Sequence, residues 1–253
     1  MSSPGRVEAL IKRKTARGRT IIAALIDPED FAVKQAAEAA RTAVKAGASL
    51  ILVGGSTIAN QTKLDAVVKA VKQVMQRDKS PVVLFPGPGA PVSQFADAIL
   101  FSSLLNSSNP YFIIGAQALG AMEVLKSDLE SIPMGYLIFG NSSSASFIGQ
   151  VNSLPPTKPS LAVIYALAAK YLGKRALYLE AGSGAADSIP PQTVKAVRKF
   201  FDGILIVGGG ITSPSRAGMI AAAGADIIVV GSLLQNPGFE KTLREITKAI
   251  RKG

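Results

Sequence analysis

The chain has 253 residues, 48% of them hydrophobic, so it can bury a large core as one domain. It contains no Cys and no His, which excludes disulfides, thiolate metal sites and the commonest general base and zinc ligand. Acid–base chemistry then falls to Asp, Glu, Lys or Tyr, and any metal is a hard cation on oxygen ligands. A formal charge of +11, from 28 Lys and Arg against 17 Asp and Glu, favours acidic partners: phosphorylated metabolites, an anionic membrane surface or nucleic acid.

The basic residues gather near the ends, at Lys12, Arg13, Lys14, Arg17 and Arg19 and again at Arg244, Lys248, Arg251 and Lys252. They read first as a solvated rim and second as a peripheral contact with an acidic membrane surface. No apolar run approaches the roughly 18 residues that span a bilayer. The basic N-terminal arm lacks the apolar core of a signal peptide, so a soluble, cytoplasmic protein is expected. Aromatics make up only 6% of the chain, too few to interleave with basic residues as nucleic-acid binding requires.

In chain order, Val7, Leu10, Ile11 and Lys14 lie at helical spacing and predict a short amphipathic helix over 4–17, within an N-terminal arm of residues 1–19. A strand over 20–26 ends at Asp27-Pro28, and a helix over 31–46 is closed by Gly47. A second strand, 49–53, exits through Gly54-Gly55-Ser56 into a helix over 63–77. The third strand, 81–85, leads into Pro86-Gly87-Pro88-Gly89-Ala90-Pro91, too rich in breakers for a full helix. A short fourth strand over 98–101 precedes a helix over 110–129, and a fifth over 134–139 precedes a serine-rich loop, 141–146. Then come a helix over 160–172, a sixth strand over 175–179, a helix over 190–201 and a seventh strand over 204–207. A helix over 214–223, an eighth strand over 227–230 and a final helix over 239–251 complete the chain.

Eight strands alternating with helices predict a parallel sheet, and eight units favour a closed barrel over an open doubly wound sheet. The echo between Ala46-Gly47-Ala48-Ser49-Leu50-Ile51-Leu52-Val53-Gly54 and Ala223-Gly224-Ala225-Asp226-Ile227-Ile228-Val229-Val230-Gly231 supports repeated βα units in a single domain, 1–253.

The sixth strand carries the chemistry. Alternation puts Ala176, Tyr178 and Glu180 on one face and Leu177 and Leu179 on the other, so the leucines pack under helices while Tyr178 and Glu180 face the barrel. Gly182-Ser183-Gly184 follows, Gly208-Gly209-Gly210 ends the seventh strand and Gly231-Ser232 the eighth. Three neighbouring glycine-rich exits beside helix N-termini favour a phosphate site over glycines that merely punctuate tight βα turns. Glu180, at the mouth beside it, suits a base for a bound hydroxyl. At the exits of the first two strands, Asp27 and Ser56 can share one Mg²⁺; equally, Asp27 can cap a helix that has Pro28 as its first residue. Ser and Asn at 106–109, then Tyr111, Phe112, Ile113 and Ile114 with small residues, read either as the start of an apolar groove or as helix packing.

Asp27-Pro28, Gly54-Gly55-Ser56, the Asn106-to-Gln117 stretch (NSSNPYFIIGAQ), Tyr178-Leu179-Glu180-Ala181-Gly182-Ser183-Gly184 and Val207-Gly208-Gly209-Gly210-Ile211 resemble the geranylgeranylglyceryl phosphate synthase family over nearly the whole chain. The resemblance implies a modified TIM (β/α)8 barrel in which an extended segment replaces one helix. It also implies Mg²⁺-dependent transfer of a prenyl group from geranylgeranyl diphosphate to the 3-hydroxyl of sn-glycerol 1-phosphate, an early step of archaeal ether-lipid synthesis. By position, Asp27 and Ser56 would bind Mg²⁺, and Tyr178, Leu179, Glu180, Ala181, Gly182, Ser183, Gly184, Gly209, Gly210, Gly231 and Ser232 would hold glycerol 1-phosphate. Tyr178 and Glu180 would be catalytic, Glu180 drawing the hydroxyl proton. The chain departs from the family in lacking a His before the first strand and in reading Glu29-Asp30 where a Lys is common. The Asn-Pro-Tyr-Phe stretch resembles the larger, oligomeric branch, so a dimer or higher assembly is expected. The alternatives are a heptaprenyl donor, or a sugar-phosphate isomerase or aldolase.

Overall fold

The structure, a computed structural model, describes residues 4–76, 78–140 and 143–251. The expected helix end at Arg77, Asn141 and Ser142 of the serine-rich loop, and Lys252 of the basic cluster lie outside the described residues. Eight parallel strands close in sequence order: β1 (Ile21–Ile26), β2 (Leu50–Val53), β3 (Val82–Leu84), β4 (Ala98–Leu104), β5 (Glu130–Ile138), β6 (Ala176–Glu180), β7 (Ile204–Gly208) and β8 (Ile227–Val230). β8 pairs back onto β1, Ile21 opposite Ile227, so the sheet has no edge. Around it lie α1 (Arg6–Thr15), α2 (Val33–Lys45), α3 (Gln61–Met75), α4 (Ala116–Lys126), α5 (Ser144–Ile148), α6 (Pro159–Tyr171), α7 (Pro191–Arg198), α8 (Pro214–Ala222) and α9 (Phe239–Ile250). No helix among the described residues is long and apolar enough to cross a membrane.

Period-2 alternation sorts the strand residues into two cores. Leu50, Leu52, Val83, Leu100, Met134, Ile204, Ile206 and Val229 fill the barrel. Their neighbours Ile51, Val53, Leu177, Leu179, Leu205, Val207 and Ile228 meet the helices through Ala40, Val67, Val194, Ile220 and Leu243. Both faces being buried explains why these strands read as unbroken apolar runs. The barrel is a packed core, which leaves its carboxyl end for chemistry.

Helix α1 closes the opposite end. Val7 and Ile11 pack among the barrel-filling residues. The Glu130 carboxylate, at the start of β5, accepts from the N–H groups of Val7 and Glu8 at 2.6 and 2.8 Å, capping α1 from another element. Glu8 is completely buried and pairs with Arg175 at 2.7 Å and Lys12 at 2.8 Å.

No helix stands between β3 and β4. Prolines at 86, 88 and 91 withhold three amide donors, and the segment runs on as turns. The outer faces of Ile99 and Phe101 on β4 are thereby left to line a cavity. Several boundaries differ from the sequence expectation: α7 stops at Arg198, short of 201, and α5 begins inside the expected serine-rich loop. β4 continues through Ser102 and Ser103 to Leu104. β5 starts at Glu130, four residues early, since its polar first residue is used by α1. The helix expected to reach residue 129 stops at Lys126, where Asp128 turns the chain at φ +53°. Ahead of α4, Tyr111–Gly115 form one π-helical turn, two of whose carbonyls are met by side chains: Ser103 Oγ donates to Ile113 O at 2.6 Å and Gln117 Nε2 to Phe112 O at 3.2 Å, while Gln117 also reaches Ser102 O of β4 at 2.6 Å.

Candidate active site

One cavity of about 620 Å³ opens at the carboxyl end of the strands. Asp27 from the β1 exit, Ser56 from β2, Glu180 and Ser183 from β6, and Gly231 and Ser232 from β8 all line it. From there it runs past Tyr136, Phe101, Ile99, Tyr111, Phe112, Ala116, Leu119, Gly120 and Val124, an apolar channel between β4 and α4. The apolar stretch after Asn106 thus serves both of its readings, groove wall and helix packing.

Glu180 ends β6 with 7% of its surface exposed. Its Oε1 accepts from the N–H of Gly182 at 2.7 Å, and Tyr178 is hydrogen-bonded to the same carboxyl group. Burial pushes the Glu180 pKa up; the bonds from Tyr178 and Gly182 act against it and do not cancel it. Burial and the neighbouring Glu180 hold the Tyr178 hydroxyl well above its ordinary value, so Tyr178 stays a neutral donor. At the cavity wall, Phe85 stacks on Tyr178, which lies below, with centroids 5.3 Å apart, and meets Tyr136 edge-on at 5.5 Å.

The glycine exits interlock. Gly209 (φ +82°) lies so close that a Cβ there would stand 2.6 Å from Glu180 Oε1 and 2.7 Å from Gly182 N. Gly210 (φ +65°) lies equally tight against Asp187 and Ser188 in the β6–α7 loop. The N–H groups of Ser183, Gly184, Gly209 and Gly210 have no backbone partner among the described residues. Bare donors from two neighbouring strand exits are what an anion cradle needs. The Leu179 side chain faces the helix layer and does not reach the cavity. Tyr178 sits below it; Ala181, Gly182 and Gly184 form the loop behind Ser183.

Asp27 does not cap α2, which begins at Val33; the backbone N–H of Ala32, the preceding residue, is met by Gln35 Oε1 at 3.2 Å. Instead, Asp27 Oδ1 accepts from Glu29 N at 2.9 Å in a tight turn, and Oδ2 rests against Gly55, where a Cβ would stand 2.0 Å away. Burial raises the Asp27 pKa; the bond from Glu29 N lowers it, and the nearby charges of Asp30 and Glu29 raise it further. Glu29 is paired with Lys63 at 3.0 Å, and Asp30 accepts from Gln235 at 2.7 Å.

Glu29, Asp30, Phe85, Tyr136 and Gln235 line the cavity without having been singled out as site residues. Strand alternation could have found Phe85 and Tyr136, each two residues beyond an inward-facing residue, Val83 and Met134. Gln235 carried no signal, since the short helical turn Ser232–Gln235 brings it to the mouth.

Residues 14–250 match the PcrB family. The chain is 47% identical to geranylgeranylglyceryl phosphate synthase of Nitrosopumilus maritimus over 247 residues, covering 98% of each chain. It is 48% identical to the synthase of the same name from Cenarchaeum symbiosum, covering 97% of this chain and 98% of that one. The crystal structure of (S)-3-O-geranylgeranylglyceryl phosphate synthase from Thermoplasma acidophilum in complex with sn-glycerol-1-phosphate superposes with a TM-score of 0.93 at 34% identity, covering both chains completely. A thiamine phosphate pyrophosphorylase from Pyrococcus furiosus, 15% identical with a TM-score of 0.63 over 93% of this chain and 98% of that one, shares the barrel fold alone. With its eight-stranded barrel and this degree of identity along nearly its whole length, the chain belongs to the geranylgeranylglyceryl phosphate synthase (PcrB) family.

Proposed function

We propose that this prenyltransferase joins the geranylgeranyl group of its diphosphate to the 3-hydroxyl of sn-glycerol 1-phosphate, with Mg²⁺ as cofactor. The observation that carries the reading is Glu180, a buried carboxylate of raised proton affinity beside a cradle of unpartnered N–H groups, in a chain without histidine. The amides of Ser183, Gly184, Gly209 and Gly210, with Gly231-Ser232 alongside, would hold the phosphate and place its hydroxyl at Glu180. Glu180 takes that hydroxyl's proton as the oxygen bonds to C1 of the donor and the C1–O bond to diphosphate breaks. Phe85 and Tyr136, which line the cavity, supply aromatic rings near the positive charge that develops on the allylic carbon. The channel along α4 takes the tail and keeps water from that carbon.

Asp27 and Ser56 would hold the Mg²⁺. Their donor set fits: oxygen only, with one carboxylate crowded by Asp30 and Glu29, whose repulsion a divalent cation relieves. Bound there, Mg²⁺ neutralises charge on the departing diphosphate. Asp27→Ala is expected to raise the Mg²⁺ concentration for half-maximal rate by about tenfold or more. An unchanged Mg²⁺ titration would remove Asp27 from the metal site.

An aldolase would use a barrel lysine, and β1–β8 contain none. The reading is tested by transfer assays pairing labelled glycerol 1-phosphate with geranylgeranyl or heptaprenyl diphosphate, and glycerol 3-phosphate as control. Product from the 1-phosphate and the shorter donor supports it; preference for the longer donor replaces geranylgeranyl by heptaprenyl, and no product from folded protein sinks it.

The expected partner is a second copy of the chain. Ile114, Leu119, Met122 and Leu125 are between 60% and 77% exposed along one helical segment, a patch suited to self-association. Leu119→Lys with Met122→Lys should shift the mass measured by light scattering to the monomer. A wild-type protein already monomeric at micromolar concentration would dispose of the assembly.

A further inference from the structure

The cavity wall carries Asp27, Glu29, Asp30, Glu123 and Glu180, but no lysine or arginine among the described residues. Of the four cradle residues, Ser183 lines the cavity, so a phosphate dianion held there would meet backbone N–H groups set among carboxylates, even though the whole chain carries +11. Arg216 brings positive charge to the cradle from behind. It lies in the first turn of α8, where Ser213 Oγ accepts its backbone N–H at 3.3 Å. Its Nη1 donates to Gly210 O at 2.7 Å and to Ala186 O at 2.8 Å, and its Nη2 donates to Asp187 Oδ1 at 2.9 Å. One rigid guanidinium thus joins the β7 exit to the β6–α7 loop, the two segments that supply the bare amides.

The geometry points to Arg216 as a positioning residue for the phosphate of glycerol 1-phosphate, an inference that rests on the cradle assigned above. Its bond to Gly210 O fixes the peptide plane after the β7 glycines. Its bond to Ala186 O holds the loop that begins at Gly182 in register with them. Because the guanidinium stays charged at every working pH, it also offsets part of the field of the five carboxylates. The Asp187 contact contributes little, since that carboxylate is 88% exposed.

The test compares Arg216→Ala, Arg216→Lys and Asp187→Asn with wild type. Binding of sn-glycerol 1-phosphate is read by calorimetry without donor, and KM for each substrate from steady-state rates. Arg216→Ala should weaken glycerol 1-phosphate binding about tenfold or more and raise its KM alike, leaving the donor KM unchanged. Arg216→Lys should recover part of the affinity, and Asp187→Asn should behave as wild type. Unaltered binding in Arg216→Ala overturns the inference, as does a rise of both KM values together. If Arg216→Ala does not fold, affinity in folded Arg216→Lys equal to wild type overturns it too. Wild-type protein that binds no glycerol 1-phosphate would instead overturn the cradle assignment itself.

Discussion

Glu180→Gln is expected to lower kcat by about 10²–10⁴-fold while raising the thermal midpoint at neutral pH by a few degrees. The two effects share one cause. Burial lifts the Glu180 pKa, so the folded protein binds that proton more tightly than the unfolded chain does. That stabilising contribution is complete below the unfolded pKa and is lost as pH rises through the folded one. Above the folded pKa the wild type therefore holds a desolvated charge that glutamine does not carry. The gap in midpoint between the two proteins should close in acid, where both are neutral at this position. For the same reason, the acid limb of the wild-type kcat/KM profile should lie above the range of an ordinary glutamate. A variant with full turnover would remove Glu180 as the base. A midpoint gap that persists in acid would show that packing, not charge, separates the two proteins.

Gly209→Ala should lower kcat/KM by more than about 100-fold, which is more than backbone strain can explain. At φ +82° an alanine is strained by about 1 kcal/mol. The larger effect comes from what the new methyl meets, the Glu180 carboxylate at 2.6 Å and the Gly182 backbone at 2.7 Å. Base and cradle would have to separate, so kcat and the glycerol 1-phosphate KM should both suffer. Gly173→Ala is the matched control. Its φ is +77° and no atom lies within 4 Å of the added methyl, so it should cost stability alone. Equal kinetic losses in both variants would assign the effect to strain.

Much of the barrel is legible in the sequence because most strands bury both faces and all but β4 exit at a glycine or proline. The assignment of Leu177 and Leu179 outward and Tyr178 and Glu180 inward follows from alternation alone. The start of β5 escapes the sequence because Glu130, Ser131 and Pro133 are poor strand formers, and the use of Glu130 depends on a helix more than 120 residues away. The π-helical turn is invisible for a similar reason, being completed by Ser103 and Gln117 from outside it. In the site, glycine-rich exits and lone carboxylates at strand ends could be read directly. The pairings of Glu29 with Lys63, Asp30 with Gln235 and Arg216 with two loops could not, since each joins residues far apart in the chain or in irregular loops, and Asp30 meets Gln235 only because β8 closes onto β1.

The capping of α1 also orders events during folding. Its N-terminal amides are met by Glu130, and its buried Glu8 by Arg175, 167 positions further along. This helix, synthesised before every barrel strand, therefore has no native seat until β5 and the lead-in to β6 have emerged. At about 5–20 residues per second, that is a wait of roughly 8–35 s for Arg175 alone. Until then Val7 and Ile11 have no barrel to enter. Docking of α1 thus becomes a late, long-range step, which couples the base of the barrel to completion of the strand that carries Glu180.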